Sequence, residues 1–280
     1  MPVFFGHDWV ARQPWPGGKN KADYYEPGII HVTSATFETD DEILESMIPP
    51  CYKLAEPYMN VSVCEFTNLG YMNGKSYSLI NFNVPVTFDG KRDHVRGDLI
   101  MAMYENWTDP IIGGRDTNGY AKLYCDIPPV QNVGSRHIAT AHNAAFDFME
   151  LIVDTDKSAA DAEKIKSLET ASQGKMNYKY IPAVKEKDEP ASANHTKPDA
   201  SYPVFIPKWV KPEDYPYDIM KPDFKFGDAT IRLNAPKWED WPNFGYVAAG
   251  LASLPIKRVL GGKHGTYNDP TYYSSAYRLR

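Results

Sequence analysis

The chain has 280 residues, 42% hydrophobic and 24% charged, enough to bury a sizeable core as one large domain or two small ones. A net charge of −6, with no basic run longer than Lys257-Arg258, argues against broad nucleic-acid binding, which needs clustered Lys and Arg. No stretch approaches 18 consecutive apolar residues, and Met1 to Arg12 lacks the basic start and apolar run of a secretory signal, so a cytoplasmic protein without membrane spans is expected.

The first 28 residues, with Pro14, Pro16, Gly17 and Gly18, read as an irregular N-terminal arm. Ile29 to Phe37 is rich in β-branched residues and predicts a strand. Thr39 followed three residues later by Glu42 has the form of a helix cap, with Ile43, Leu44 and Met47 at helical spacing and Pro49-Pro50 as the stop. Strands are then predicted over Tyr58 to Phe66, where Met59, Val61 and Val63 share a face, and over Tyr77 to Phe88, which ends at the hairpin signal Asp89-Gly90. Further strand-like runs cover Leu99 to Tyr104, Tyr120 to Ile127 and Ala139 to Val153.

Between Asp156 and Ser172 the apolar spacing becomes helical, with Gly174 as the cap. Met176 to Val184 is a strand, 185–203 an exposed loop insertion, and Phe224 to Leu233 a strand again. Pro255 to Val259 leads into a Gly-rich turn at Gly261-Gly262, and a Tyr-rich tail runs from Tyr267. One long helix among many strands, with 19 Tyr, 12 Phe and 23 Pro, predicts a β-dominated α+β fold in one domain over 1–280.

Most chemistries find no motif. Cys51, Cys64 and Cys125 are too scattered for a disulfide framework or zinc site. His137 and His142 lie five apart, and His94 and His264 are isolated, so no metal is expected. Ser76 has no phosphate-loop glycines before it, and Gly-x-Ser-x-Gly is absent.

The informative stretch is Gly113 to Lys122, a tight glycine-bounded loop that delivers Lys122 into a strand with Tyr120, Leu123, Tyr124, Cys125 and Ile127. Burial there would disfavour the ammonium form and leave a nucleophilic amine near neutral pH. The same pattern also suits a lysine whose stem is buried and whose head reaches water.

Gly114-Arg115-Asp116 followed by Gly119-Tyr120-Ala121-Lys122 resembles the acetoacetate decarboxylase signature: Gly-Arg-Glu, three residues, an aromatic, Pro, and the Schiff-base lysine. Phe37-Glu38-Thr39-Asp40, Val84-Pro85-Val86 with Asp89-Gly90, Asn177-Tyr178 with Ile181-Pro182, and Leu254 to Val259 resemble further family motifs, in order, over roughly 29–280. The resemblance implies a cone-shaped closed antiparallel sheet with peripheral helices, a homo-oligomer, no cofactor, and Lys122 as the nucleophile toward a small-molecule carbonyl substrate. It also places charged family positions on Leu123, Leu79, Ser62 and Ile30. Acetoacetate itself is therefore not the expected substrate. Glu65 could serve only after a register shift that turns it to the other face.

Glu105, at a strand end just before the loop, is the candidate proton shuttle. Tyr77, Tyr104, Tyr120, Leu123, Ser62 and Leu79 are candidate pocket residues, and Arg115 either binds a substrate carboxylate or holds the loop. The expected function is a Schiff-base lyase, of decarboxylase or aldolase–dehydratase type. The alternative is a non-catalytic small-molecule binder on the same fold.

Overall fold

A computed structural model describes residues 28–69, 72, 74–189, 197–208, 222–269 and 276–280. The N-terminal arm, apart from Gly28, lies outside these residues, as do 190–196 of the expected loop and 270–275 of the tail. The chain begins with β1 (Gly28–Glu38), α1 (Asp41–Ser46), β2 (Tyr52–Leu54), β3 (Tyr58–Leu69), β4 (Lys75–Asp89) and β5 (His94–Glu105). It continues through α2 (Thr108–Asn118), β6 (Lys122–Tyr124), β7 (Gln131–Val133), β8 (Arg136–Asn143) and β9 (Phe146–Asp154). α3 (Ala162–Ala171), β10 (Gly174–Pro182), β11 (Pro198–Pro207), β12 (Asp223–Leu233), α4 (Gly245–Ala252), β13 (Arg258–Asp269) and β14 (Tyr277–Arg278) follow.

The strands form one mostly antiparallel sheet in the order β14-β11-β10-β5-β4-β3-β1-β13-β12-β9-β8-β7. The sheet closes on itself. β6 pairs in parallel with β5, and Asp126, just beyond β6, forms a β-bridge with His142 of β8. The ring β5-β4-β3-β1-β13-β12-β9-β8 is thereby completed through the β6 segment, as expected for a cone-shaped closed sheet. Proof of an interior comes from aromatic contacts: Phe82 of β4 and Phe148 of β9, far apart along the ring, have ring centroids 6.0 Å apart. Tyr104 and Trp241 join them, and Leu251 and Leu254 add apolar volume from α4 and its end. A second apolar cluster, with Ile30, Val32, Cys64, Tyr77, Leu79 and Met103, occupies the opposite face of the sheet.

Strand alternation sorts residues between these faces. Met59, Val61 and Val63 are buried together in the interior, as their spacing predicts. Pro85, which has no N–H, sits on β4 where the β3 pairing ends at Asn83 and β2 takes over at Val86.

Several expectations are corrected. Ala139 to Val153 is two strands, β8 and β9, with Ala144 in the turn at φ 50°. The cap of α1 is Asp40, which accepts from Ile43 N at 3.1 Å, while the buried Thr39 hydroxyl has no hydrogen-bond partner among the described residues. The Asp156–Ser172 helix is confined to α3 and its C-cap is Ser172, because Gly174 already belongs to β10. The loop insertion over 185–203 is shorter than expected, since β11 pairs with β10 from Pro198 onward. The Gly-rich turn is a bulge inside β13, with Gly261 at φ 123° opposite a register shift at Thr36/Phe37. Among the described residues no helix is long and apolar enough to cross a membrane.

His137 and His264, unrelated in sequence, stack with ring centroids 3.5 Å apart beside a cavity of about 560 Å³ that Lys225 and Thr266 also line. Burial, then the His137 and His31 rings, push His264 down to about 4. Its unfolded-state value near 6.5 means that the unfolded chain binds more protons between these limits. Stability should therefore fall as pH drops from about 6.5 to 4, by up to about tenfold in the unfolding equilibrium per pH unit. Urea unfolding of His264→Phe, which keeps a stacking ring, should show a flatter pH dependence over that window.

Candidate active site

The site is built where β5, α2 and β6 meet. Met103, Tyr104 and Glu105 at the end of β5 pair in register with Lys122, Leu123 and Tyr124 of β6. Asn106 fixes this corner: its Oδ1 accepts from Ser78 N at 2.8 Å and its Nδ2 donates to Ile127 O at 3.2 Å. The glycine-bounded loop expected between the strands is instead the helix α2. Pro110 is tolerated in its first turn, where few backbone donors are used. Arg115 sits favourably in its last turn, and Gly119 ends it in the left-handed conformation at φ 70°.

None of the α2 side chains is buried, so the helix is held mostly through its backbone carbonyls. Lys179 Nζ donates to Asp116 O at 2.6 Å, and Asn177 Nδ2 to Asn118 O at 3.2 Å. Nearer the start, Lys122 Nζ donates to Pro110 O at 2.8 Å. Gly114 lets the helix lie directly on the lysine. A Cβ at this position would fall 2.5 Å from Lys122 Cε and 2.6 Å from Nζ.

The Lys122 side chain is 8% exposed and that of Glu105 is 0% exposed, with Nζ 2.8 Å from Glu105 Oε1. No other described group hydrogen-bonds either carboxylate oxygen. Burial is the largest influence on both. It pushes the lysine below its ordinary value against the opposing pull of Glu105, and the glutamate above its own against the pull of Lys122. Both shifts run toward the neutral forms. The Tyr120 ring, its centroid 5.2 Å from Nζ, closes another side. The arrangement can therefore offer a nucleophile and a proton donor side by side, shielded from water. Among the described residues no group of three or more His, Cys, Asp or Glu could hold a metal ion.

The family model for acetoacetate decarboxylase matches residues 12–204. The chain belongs to the acetoacetate decarboxylase family. No curated protein matches it. Among solved structures, an acetoacetate decarboxylase from Legionella pneumophila is 17% identical with a TM-score of 0.64, covering 96% of this chain and 93% of its own. An acetoacetate decarboxylase-like enzyme from Sphingomonas wittichii RW1 is 18% identical, TM-score 0.63, covering 90% and 92%. The enduracididine biosynthesis enzyme MppR, complexed with pyruvate, is 12% identical, TM-score 0.58, covering 91% of each chain. MppR is also seen with the condensation product of pyruvate and imidazole 4-carboxaldehyde.

Within this acetoacetate decarboxylase fold, the expected site residues separate by sheet face. Cross-strand pairing puts Glu105, Leu79, Cys64 and Val32 in one row on the lysine's face, and Met103, Asn81, Ser62 and Ser34 in the next. Tyr77, stacked on Phe66 at 4.9 Å, shares that face, as does Ile30. Tyr104 does not: it is 0% exposed in the interior, beside Trp241 and Phe148. Leu123 likewise packs against the interior cluster, because neighbours on a strand point oppositely. Neither lines the lysine's pocket. Arg115 holds the loop, donating from Nη1 to Lys122 O at 2.7 Å. Glu65 faces away and accepts from Val130 N at 3.1 Å.

Sequence reasoning missed Asn106, the Pro110 carbonyl and the contact role of Gly114. For Gly114 the signal was present in the Gly113-Gly114 pair eight residues before the lysine.

Two variants test this geometry. Glu105→Gln removes the charge that holds the lysine up, so the pH at which Lys122 becomes reactive toward acetic anhydride should move lower. Gly114→Ala drives a methyl into the amine and should slow reaction of Lys122 with a carbonyl probe by about 100-fold, the scale expected for a displaced reacting group.

Proposed function

We propose that the chain is an enzyme that forms a Schiff base between Lys122 and a small carbonyl substrate, with Glu105 as its acid–base partner. The observation that carries this reading is the 2.8 Å contact between an almost fully buried lysine and a fully buried glutamate. A structural ion pair has no need of such burial, which costs more than a surface pair returns. A Schiff-base lysine does need it, because only the unprotonated amine attacks.

In this reading the Nζ lone pair adds to the carbonyl carbon, and the Glu105 carboxyl donates its proton to the departing hydroxyl, which leaves as water. The resulting iminium draws electrons from the adjacent bond. Loss of carbon dioxide, cleavage of a carbon–carbon bond with release of a carbonyl compound, or loss of an α-proton to the Glu105 carboxylate leaves the same enamine. The enamine then takes up a proton or adds to a second carbonyl compound, and either step restores an iminium that water hydrolyses to free the amine. Glu105, now a carboxylate, accepts or returns the proton. The condensation product bound by MppR supports carbon–carbon chemistry on this fold. The reading includes a cytoplasmic homo-oligomer with no cofactor.

Incubation with a panel of keto acids, aldehydes and ketones, reduction with borohydride and mass spectrometry should place an adduct on Lys122. Lys122→Ala should abolish adduct and turnover while leaving the circular dichroism spectrum unchanged. A folded protein that yields no adduct with any carbonyl refutes the proposal, and an adduct without turnover identifies a binding protein instead.

A further inference from the structure

Beyond the lysine, its sheet face carries a patch of uncharged hydrogen-bonding side chains. Asn81 and Ser62 lie in the row beginning at Met103, the register partner of Lys122. Asn83, Asn60 and Thr36 lie in the row beyond it. Some of these groups satisfy one another: Ser62 Oγ donates to Asn60 Oδ1 at 2.6 Å, and Asn60 Nδ2 to Thr36 Oγ1 at 3.0 Å. Two do not. Asn81 Oδ1 and Asn83 Oδ1 are buried and accept no hydrogen bond from any described group.

A buried amide oxygen without a donor is costly, and such atoms call for an explanation. Here both lie on the sheet face that carries the reactive amine. At about 4.8 Å per strand, Asn81 is ~10 Å across the sheet from the Lys122 backbone, and the lysine side chain ends beside Glu105 in the neighbouring row, the row of Leu79. A short substrate chain attached at Nζ would cross Leu79 and meet the Asn81 amide. The cation at the far end of the row, Lys263, is engaged by Glu169 at 2.6 Å. Farther along the face, Lys175 is paired with Asp98 at 3.0 Å, so the charges that border the described amides and hydroxyls are engaged with one another.

We infer that Asn81 and Asn83 form a subsite for hydroxyl groups, and that the substrate is a hydroxylated aldehyde or ketone. This rests on the reading of Lys122 as the carbonyl-reactive amine and adds the substrate class. The hydroxyl hydrogens supply the donors that the two amide oxygens lack. A site built to hydrogen-bond hydroxyls rejects analogues without them more strongly than an apolar pocket distinguishes one methylene from another.

The test compares borohydride trapping of glyceraldehyde with propanal, and of dihydroxyacetone with acetone, each rate divided by that of N-acetyllysine with the same probe. The wild-type protein should favour the hydroxylated member of each pair by at least about tenfold, the effect of one well-made hydrogen bond. In Asn81→Leu and Asn83→Leu, checked for fold by circular dichroism, that preference should fall about tenfold. Equal or reversed preference in the wild type overturns the inference, whether or not the variants fold. So does an unchanged preference in folded variants. No adduct with any of the four probes overturns this inference, and the Lys122 reading falls with it only if the wider panel of keto acids, aldehydes and ketones also gives none; adducts without hydroxyl preference overturn this inference alone.

Discussion

Everything around the candidate site is arranged by one constraint, the removal of Lys122 and Glu105 from water together. Each group alone would resist burial in its charged form, and paired at 2.8 Å they relieve one another by proton sharing. The glycine at 114 follows from this, because only a helix without a side chain there can seal the amine against solvent. The engaged carbonyl of Pro110 follows as well, since a buried amine needs an acceptor. The strand β6 is short, yet it holds the lysine alongside the β5 end that carries the glutamate.

Much of the strand framework was legible because period-2 alternation and hairpin punctuation are local signals. The faces of β3 and the end of β4 at Asp89 are examples. What misled was a single-residue question repeated at the site. Tyr104 and Leu123 are each one position from a residue on the lysine's face, and alternation turned them into the interior. The helix α2 was hidden by Pro110, Gly113 and Gly114, poor helix formers whose cost is offset by tertiary contacts to their carbonyls. α4, rich in glycine and alanine, offers little periodicity of its own and takes its order from the interior it helps to close. Glu105 was legible because a carboxylate ending an apolar strand is conspicuous. Asn81 and Asn83 were not, although two amides inside the run Leu79 to Val84 mark a face that is neither core nor solvent.

Membership of the acetoacetate decarboxylase family fixes the fold and leaves open what the amine meets. The positions on which the sequence resemblance places charged family residues hold Ile30, Ser62 and Leu79, and all three lie on the lysine's face of the sheet. Apolar side chains and a hydroxyl at these positions offer a substrate no charge to match. They also dry the surroundings of the amine, which strengthens the influence of Glu105.

The closed sheet has a seam, and the lysine is on it. β6 is joined to β5 along three residue pairs, and the segment beyond it reaches β8 by the single bridge between Asp126 and His142. A break anywhere in that circuit loosens the strand that carries the amine, even when the break is on the far side of the barrel. The placing of Lys122 is thus tied to whether the whole ring is shut. Substitutions in β8 or β9 that touch no part of the site act on it through this hoop, as slack in a belt is felt at its buckle.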